Sequence, residues 1–94
     1  MLARYEELEL TDSAYHHGYN DEDIAEMLRG KHLVIRNRRG RLLGYEILGR
    51  NRAGVYLLAA ARVVQSGGVK VLRVFHVNRM TDGEQRRFQR QRQR

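Results

Sequence analysis

The stretch Val69–Phe88, VKVLRVFHVNRMTDGEQRRF, decides the fold that the sequence predicts. The part before Thr81 is rich in β-branched and aromatic residues, and apolar side chains occupy both odd and even positions. That pattern is typical of a central strand that is covered on at least one face. Thr81 and Glu84 have the T-x-x-E spacing of a capping box, which begins a helix by binding two backbone N–H groups. The stretch therefore predicts a strand that leads directly into a helix.

Three stretches upstream also predict strands, with a tight turn at residues 39–40 between the first two. They are HLVIRNR at 32–38, RLLGYEIL at 41–48 and VYLLAAARVV at 55–64. Short connections between successive strands favour an antiparallel meander. Gly44, inside the second of these strands, is a possible bulge.

The first third of the chain predicts a weak strand or extended arm at 4–10 and a short helical turn at 13–16. Gly18 would end that turn with a left-handed residue. Asn20 is the N-cap of the next helix, with an aspartate at the capping-box position, and Gly30 stops the helix. The apolar stripe of this helix consists of Ile24, Met27 and Leu28.

The predicted order is β-α-α-β-β-β-β-α, an α+β fold in which an antiparallel meander of about four strands has helices before and after it. Residues 1–94 make a single domain, with a basic tail from about residue 89. The chain has no cysteine, which excludes disulfides and a thiolate nucleophile. It has no apolar run near the ~20 residues that cross a bilayer, and no secretory signal. We therefore expect a cytoplasmic protein with no membrane partner.

Charge is distributed unevenly along the chain. Residues 1–30 contain eight acidic and two basic residues, a net charge of −6, whereas residues 31–94 contain sixteen basic and three acidic residues, a net charge of +13. Nearly all the basic residues of the second part are arginines, whose planar guanidinium groups match phosphate geometry. A surface charge that only confers solubility is the alternative. The distribution favours contact with a nucleic acid.

Several kinds of site are not supported by the residues present. The loop GRNRAG at 49–54 lacks the Lys-Ser/Thr of a P-loop and does not lead into a helix. His16 and His17 are adjacent and no H-x-x-x-H pair occurs, so we expect no metal site and no cofactor. Ser13 and Ser66 lie in cap and turn contexts, which gives a serine nucleophile little support.

RNA cleavage by attack of the 2′-hydroxyl is compatible with this composition. It needs a base, an acid and cations that stabilise the phosphorane, and His, Glu and Arg can supply all of these without a metal. The candidate catalytic residues lie where the last strand meets the last helix: Arg73, His76, Arg79 and Glu84. The candidate RNA-binding residues are Arg50, Arg52, Arg86 and Arg87.

Five of these candidates also have a purely structural interpretation. His76 could be a polar-face strand residue, and Glu84 could serve only in the capping box. Arg73 could be a snorkelling or paired surface arginine. Arg50 and Arg52 could be solvated loop charges.

Four segments carry a family resemblance: His17-Gly18, NDEDIAEML at 20–28, ILGRNRAG at 47–54 and VLRVFHVNRMTDGEQRRF at 71–88. Together they resemble the BrnT-type toxins of bacterial toxin–antitoxin modules, which belong to the broader RelE-like ribonuclease toxin fold. In that family a strand of the form R-hydrophobic-hydrophobic-S/H-A-R runs into T-x-x-E-R-x-x-Y/F. The resemblance covers roughly residues 10–88.

Two positions depart from the family pattern. The arginine expected at position 78 is Asn78, with Arg79 one place later, and the loop glycine is followed by Val55 where the family usually has arginine. A shift of one residue along a strand reverses the face on which a side chain lies. The resemblance nevertheless implies a cytoplasmic ribonuclease that blocks translation. It also implies an adjacent antitoxin with a DNA-binding domain, which would cover the basic face in a hetero-oligomer.

The sequence thus leaves three hypotheses. The first is a metal-independent endoribonuclease toxin of a type II toxin–antitoxin system that cleaves mRNA. The second is a non-catalytic module, either a basic nucleic-acid binder or a degenerate toxin fold that binds only its partner. The third is an accessory protein of a phage or mobile element that acts through protein contacts.

Overall fold

The computed structural model describes residues 4–39 and 42–92 and has the predicted α+β class, with five strands and two α-helices. The elements in chain order are β1 Glu7–Leu10, a 3₁₀ turn Ala14–His17, α1 Asp21–Arg29, β2 His32–Arg39, β3 Leu42–Arg50, β4 Tyr56–Ser66, β5 Val69–Arg79 and α2 Asp82–Arg92. The tight turn predicted at 39–40 lies partly outside the described residues.

A single sheet contains all five strands in the order β1-β5-β4-β3-β2. β2 to β5 form the predicted antiparallel meander. β1 pairs with β5 in parallel, with Glu7 opposite Val71 and Leu10 opposite Val74. The weak strand or arm is therefore a fifth, edge strand. The prediction of about four antiparallel strands is corrected to five strands in a mixed sheet.

The predicted caps of α1 and α2 are confirmed. The N–H of Asp23 donates to Asn20 Oδ1 at 3.1 Å, and the N–H of Asn20 donates to Asp23 Oδ2 at 2.9 Å. At the start of α2, Glu84 N–H donates to Thr81 Oγ1 at 3.2 Å, and Thr81 N–H donates to Glu84 Oε1 at 2.8 Å. Gly18 ends the 3₁₀ turn at φ 84°, the left-handed conformation that the sequence predicted.

One side of the sheet, which we call the α1 face, packs against α1 and the 3₁₀ turn. Its buried strand residues include Ile47, Leu57, Ala59, Ala61, Leu72, Val74 and Val77. Ile24 and Met27 of α1 are completely buried against them. Gly49 of β3 lies beneath Met27, and a Cβ at this glycine would be 3.3 Å from Met27 Cβ. The missing side chain therefore allows α1 to approach the sheet closely.

The other side, which we call the α2 face, is covered only in part. Phe88 of α2 is 1% exposed and packs on Leu48, Leu58 and Met80. Its ring meets that of Tyr56 edge to face, with the centroids 6.0 Å apart. Because Phe88 is the one large apolar residue of α2 that reaches the sheet, the helix covers only the part of this face around it.

A bulge in β5 sets which side chains share a face. Val74 lies opposite Ala61 and His76 lies opposite Ala60, so Phe75 is an extra residue in β5. Val74 and Val77 consequently both belong to the α1 face. The pairing of β3 with β2 stays regular through Gly44, so the bulge predicted at Gly44 is wrong.

α2 extends to Arg92 and includes the first four residues of the stretch predicted as a basic tail from about residue 89. Neither helix within residues 4–39 and 42–92 combines the length and the apolar composition that crossing a membrane requires.

Candidate functional site

Alternation along β4 identifies the residues of the uncovered surface. Leu57, Ala59 and Ala61 belong to the core of the α1 face, so Ala60 and Arg62 lie on the α2 face. Their partners and neighbours across the sheet complete an uncovered patch, which we call the open face: Glu46, Ala60, Arg62, Arg73, Phe75 and His76. None of these residues belongs to the apolar cluster beneath α2.

His76 is the exposed imidazole of the open face. It lies opposite Ala60, and Ala60 in turn lies opposite Glu46 of β3, so the three residues form one row across the sheet. Ala60 keeps partial solvent exposure although β4 is a central strand. The row therefore has a small, solvent-accessible centre between an imidazole and a carboxylate.

Two arginines lie side by side in the adjacent row. Arg62 and Arg73 are directly opposite each other on β4 and β5, an arrangement that like charges disfavour. Arg73 Nη2 donates to Glu9 Oε2 at 3.4 Å, and Arg73 Nε lies 3.3 Å from Glu9 Oε1. The guanidinium of Arg62 stacks over Phe75, 5.1 Å from the ring centroid. Of the two cations, only Arg73 is paired with a carboxylate of the described residues, so the surface carries excess positive charge that suits an anion.

The position of each guanidinium group decides which of its nitrogen atoms a ligand can reach. Arg62 Nε and Arg73 Nε are both buried without a hydrogen-bond partner in the described part of the chain, and the Arg73 Nε contact with Glu9 is an ion pair only. Because these Nε atoms are closed to solvent, an anion would reach the two partly exposed side chains through their Nη atoms. A phosphate oxygen is an acceptor that arginine binds well.

Arg79, the second predicted catalytic arginine, lies on the opposite side of the sheet. It pairs with Leu57, a residue of the α1 face, and its Nε donates to Tyr19 Oη at 3.3 Å. The structure therefore brings Arg73 and His76 onto one face but does not bring Arg79 to them. Asn78, at the position where the resemblance expects arginine, is the residue that shares the α2 face with His76.

Glu84 is placed at the N-terminus of α2 with its carboxylate engaged in the capping box. The cap accounts for its position, and its catalytic role remains a prediction.

The predicted RNA-binding residues fall into two groups. Arg50 and Arg52 line a groove of about 680 Å³ between the end of α1 and the β3–β4 loop, together with Arg29 and Lys31. Glu26 is the carboxylate in this groove, and it accepts the backbone N–H of Arg52 at 2.9 Å. The groove is therefore basic on balance.

Arg86 and Arg87 form the second group and are exposed on α2. Tyr56 connects Arg50 of the first group to α2, the helix that carries the second group. The guanidinium of Arg50 lies 5.5 Å from the Tyr56 ring centroid, and the Tyr56 hydroxyl accepts from Gln89 Nε2 of α2 at 3.3 Å.

Sequence reasoning missed three residues of this site, namely Glu9, Glu46 and Arg62. Only the register across β1, β5, β4 and β3 shows that they lie near Arg73 and His76. The sequence offered one signal for Glu46. It is the single acidic residue between positions 27 and 81, and a lone carboxylate in a basic stretch is a candidate functional group. Among the residues that the structure describes, no three His, Asp or Glu side chains are grouped as a metal site would require.

No family model matches this chain, and no curated protein shows significant similarity to it. The resemblance to BrnT-type toxins therefore stays a prediction.

Proposed function

We propose that this protein is a metal-independent endoribonuclease that cleaves RNA on the open face. The observation that carries the proposal is the exposed His76 on the same uncovered surface as Arg62 and Arg73. That set combines an imidazole, the side chain that most often acts as a general acid or base, with two cations that can bind one phosphate.

The reaction would proceed by attack of a ribose 2′-hydroxyl on the adjacent phosphorus. Arg62 and Arg73 would bind the non-bridging oxygens, whose negative charge increases in the phosphorane. His76 would be one of the two proton-transfer groups. The products would be a 2′,3′-cyclic phosphate and a free 5′-hydroxyl.

The remaining arginines would hold the RNA on the side of the cleaved bond that faces α2 and the β3–β4 loop. Arg50, Arg86 and Arg87 lie on or beside α2, which borders the open face, and Arg52 lies in the adjacent groove. Contacts of this kind bind the phosphate backbone with little dependence on base sequence.

The sequence resemblance supports a biological setting for this activity. In that setting the protein is the toxin of a type II toxin–antitoxin module in the cytoplasm, its substrate is mRNA, and cleavage blocks translation. A cognate antitoxin with a DNA-binding domain would cover the basic surface in a hetero-oligomer. Neutralisation by covering the arginines would require an acidic segment in the antitoxin.

The test is incubation of the purified chain with a labelled RNA oligonucleotide in EDTA. We expect fragments that end in 2′,3′-cyclic phosphates, and no cleavage where the 2′-hydroxyl is replaced by hydrogen. His76→Ala should lower the rate by about 10²–10⁴-fold. His32→Ala is the control, because His32 is also an exposed strand histidine but lies on β2, away from the open face.

The positions of two predicted catalytic residues favour a second function. Arg79 lies on the side of the sheet opposite His76, and Glu84 is engaged in the α2 cap. Two of the four predicted catalytic residues thus have structural roles, as in a non-catalytic RNA-binding or partner-binding module. If the RNA stays intact while it binds with steep salt dependence, this second function is correct and the nuclease proposal is wrong.

A further inference from the structure

We infer that Glu46 is the second proton-transfer group of the open face and that it acts with His76 across the gap above Ala60. The inference rests on the proposed function and adds a catalytic residue to it. Glu46 would take the proton of the 2′-hydroxyl, and His76 would protonate the departing 5′-oxygen.

Register places the two groups at a separation that fits a phosphodiester. Glu46, Ala60 and His76 are directly opposite one another on three neighbouring strands. Strands lie about 4.8 Å apart, so the Cα atoms of Glu46 and His76 are about 10 Å apart. The methyl group of Ala60 is all that the central strand places between them. The two longer side chains therefore flank a gap that is open to solvent.

The other carboxylates near this surface are already engaged. Glu9 pairs with Arg73, and Glu84 accepts the Thr81 N–H in the α2 cap. Glu46 is half-buried and makes no hydrogen bond or ion pair within the described part of the chain. A carboxylate oxygen accepts hydrogen bonds, and a substrate hydroxyl can provide one.

The anion-binding pair lies next to the same gap. Arg62 follows Ala60 by two residues on β4, so its Cα is about 7 Å along the strand on the same face. Arg73 is directly opposite Arg62. A phosphate held by these two guanidinium groups would place its phosphorus beside the space between Glu46 and His76. The proposed base, the proposed acid and the two arginines would then surround the reacting phosphorus atom.

Cleavage transfers two protons, one at each ribose oxygen whose bond to phosphorus changes. The 2′-oxygen loses its proton to Glu46 and forms a bond to phosphorus. The bond between phosphorus and the 5′-oxygen breaks with its electron pair on that oxygen, which takes a proton from His76. The products are a cyclic phosphate, a 5′-hydroxyl, a protonated Glu46 and a neutral His76, and solvent exchange restores both groups.

Two substrates separate the roles of base and acid. The first is an RNA dinucleotide, whose alkoxide leaving group needs a proton. The second is uridine 3′-(4-nitrophenyl phosphate), whose phenolate leaves without one. His76→Ala should lower the rate on the dinucleotide by about 10²–10⁴-fold and leave the aryl ester nearly unaffected. Glu46→Gln should lower the rate on both substrates by a similar factor.

The matched control is Glu7→Gln. Glu7 is an exposed carboxylate on β1, where it lies opposite Val71, and it should keep wild-type rates on both substrates. A second variant, Ala60→Leu, keeps both reacting groups and fills the gap between them. It should lose cleavage of both substrates while it keeps RNA binding and the wild-type unfolding midpoint. This variant tests the inference even if Glu46→Gln is unstable.

The outcomes are distinguishable. Wild-type activity in both Glu46→Gln and Ala60→Leu, with His76→Ala inactive on RNA, would overturn the inference and leave the nuclease proposal intact. A wild-type protein that cleaves neither substrate would overturn both. Loss of activity of Glu46→Gln on RNA alone, with the aryl ester unaffected, would assign Glu46 to the leaving-group side and contradict the inference.

Discussion

The α1 face of the sheet is covered by a continuous apolar core, whereas the α2 face is held mainly by one aromatic ring. On the first, Ile24 and Met27 interlock with side chains from several strands. On the second, Phe88 is the large apolar contact of a helix that is otherwise rich in Arg and Gln. One face thus supplies the stability, and the other keeps polar groups accessible. A small domain buries little apolar surface and is only marginally stable. The area of sheet that can stay uncovered for a binding site is therefore limited.

The largest effect should follow from removing that single ring. Phe88→Ala should lower the free energy of unfolding by about 3–5 kcal/mol, because the ring is fully buried. The loss should release α2 from the sheet, which amide hydrogen exchange can detect in residues 82–92. Met27→Ala is the comparison on the α1 face. It should cost about 2–5 kcal/mol without freeing α1, since Ile24 and the Asn51–Asp23 hydrogen bond still hold that helix. Full amide protection of α2 in Phe88→Ala would contradict the proposed difference between the faces.

A pair of glycines in β3 tests how tightly each face is packed. Gly49→Ala places a methyl group 3.3 Å from Met27 Cβ and 3.4 Å from His32 Cβ, so it should cost about 1–3 kcal/mol. Gly44→Ala meets nothing closer than the Asn37 carbonyl oxygen at 3.5 Å and should change stability by no more than about 0.5 kcal/mol. Chemical denaturation of both variants gives the comparison. Equal costs would show that the α1 face is no more tightly packed at β3 than the α2 face.

The α2 cap should matter at an intermediate level. Thr81→Ala removes the acceptor for the Glu84 N–H and should cost about 1 kcal/mol. Thr81→Ser keeps the hydroxyl and should be close to wild type. The first turn of α2 should show the change as faster amide exchange. An unchanged exchange rate in Thr81→Ala would mean that packing of Phe88 alone fixes the start of the helix.

The smallest effect on stability should come from the exposed arginines of α2. Replacing Arg86 and Arg87 together with Gln should change the free energy of unfolding by less than about 0.5 kcal/mol. RNA binding should weaken, and the slope of log affinity against log salt should fall by about 1.4, or roughly 0.7 for each lost phosphate contact on single-stranded RNA. Lys70→Gln, at the opposite end of β5, is the control and should keep the wild-type slope. An unchanged slope in the double variant would remove α2 from the RNA-binding surface.

Local features could be predicted from the sequence because their causes lie within a few residues. The capping boxes at Asn20 and Thr81, the left-handed Gly18 and the meander of β2 to β5 all follow from neighbouring residue types. The apolar anchor at Phe88 could also be recognised, since the last helix offers no alternative.

Non-local features could not be predicted in this way. The parallel pairing of β1 with β5 joins residues more than sixty positions apart. The bulge at Phe75 depends on how β5 meets β4, and it decides that Val74 and Val77 share a face. The same bulge brings Arg73 onto the face of His76, although the two are three residues apart. Arg79 lies on the other face because the strand is regular from His76 to Arg79. Glu46 entered the candidate site only through its register with Ala60.

The pairing of the first strand with the last also constrains how the protein is made. The N–H of Glu6 donates to the carbonyl of Lys70 at 2.8 Å. Because these residues are far apart in the sequence, β1 is synthesised long before the strand with which it pairs. Closing a loop of that length is slow compared with forming local hairpins. The apolar side chains of Leu8 and Leu10 therefore stay accessible to chaperones and proteases in the nascent chain until β5 has been translated. The Glu9–Arg73 ion pair forms at the same late moment, so the arginine surface is completed only when synthesis has passed the last strand.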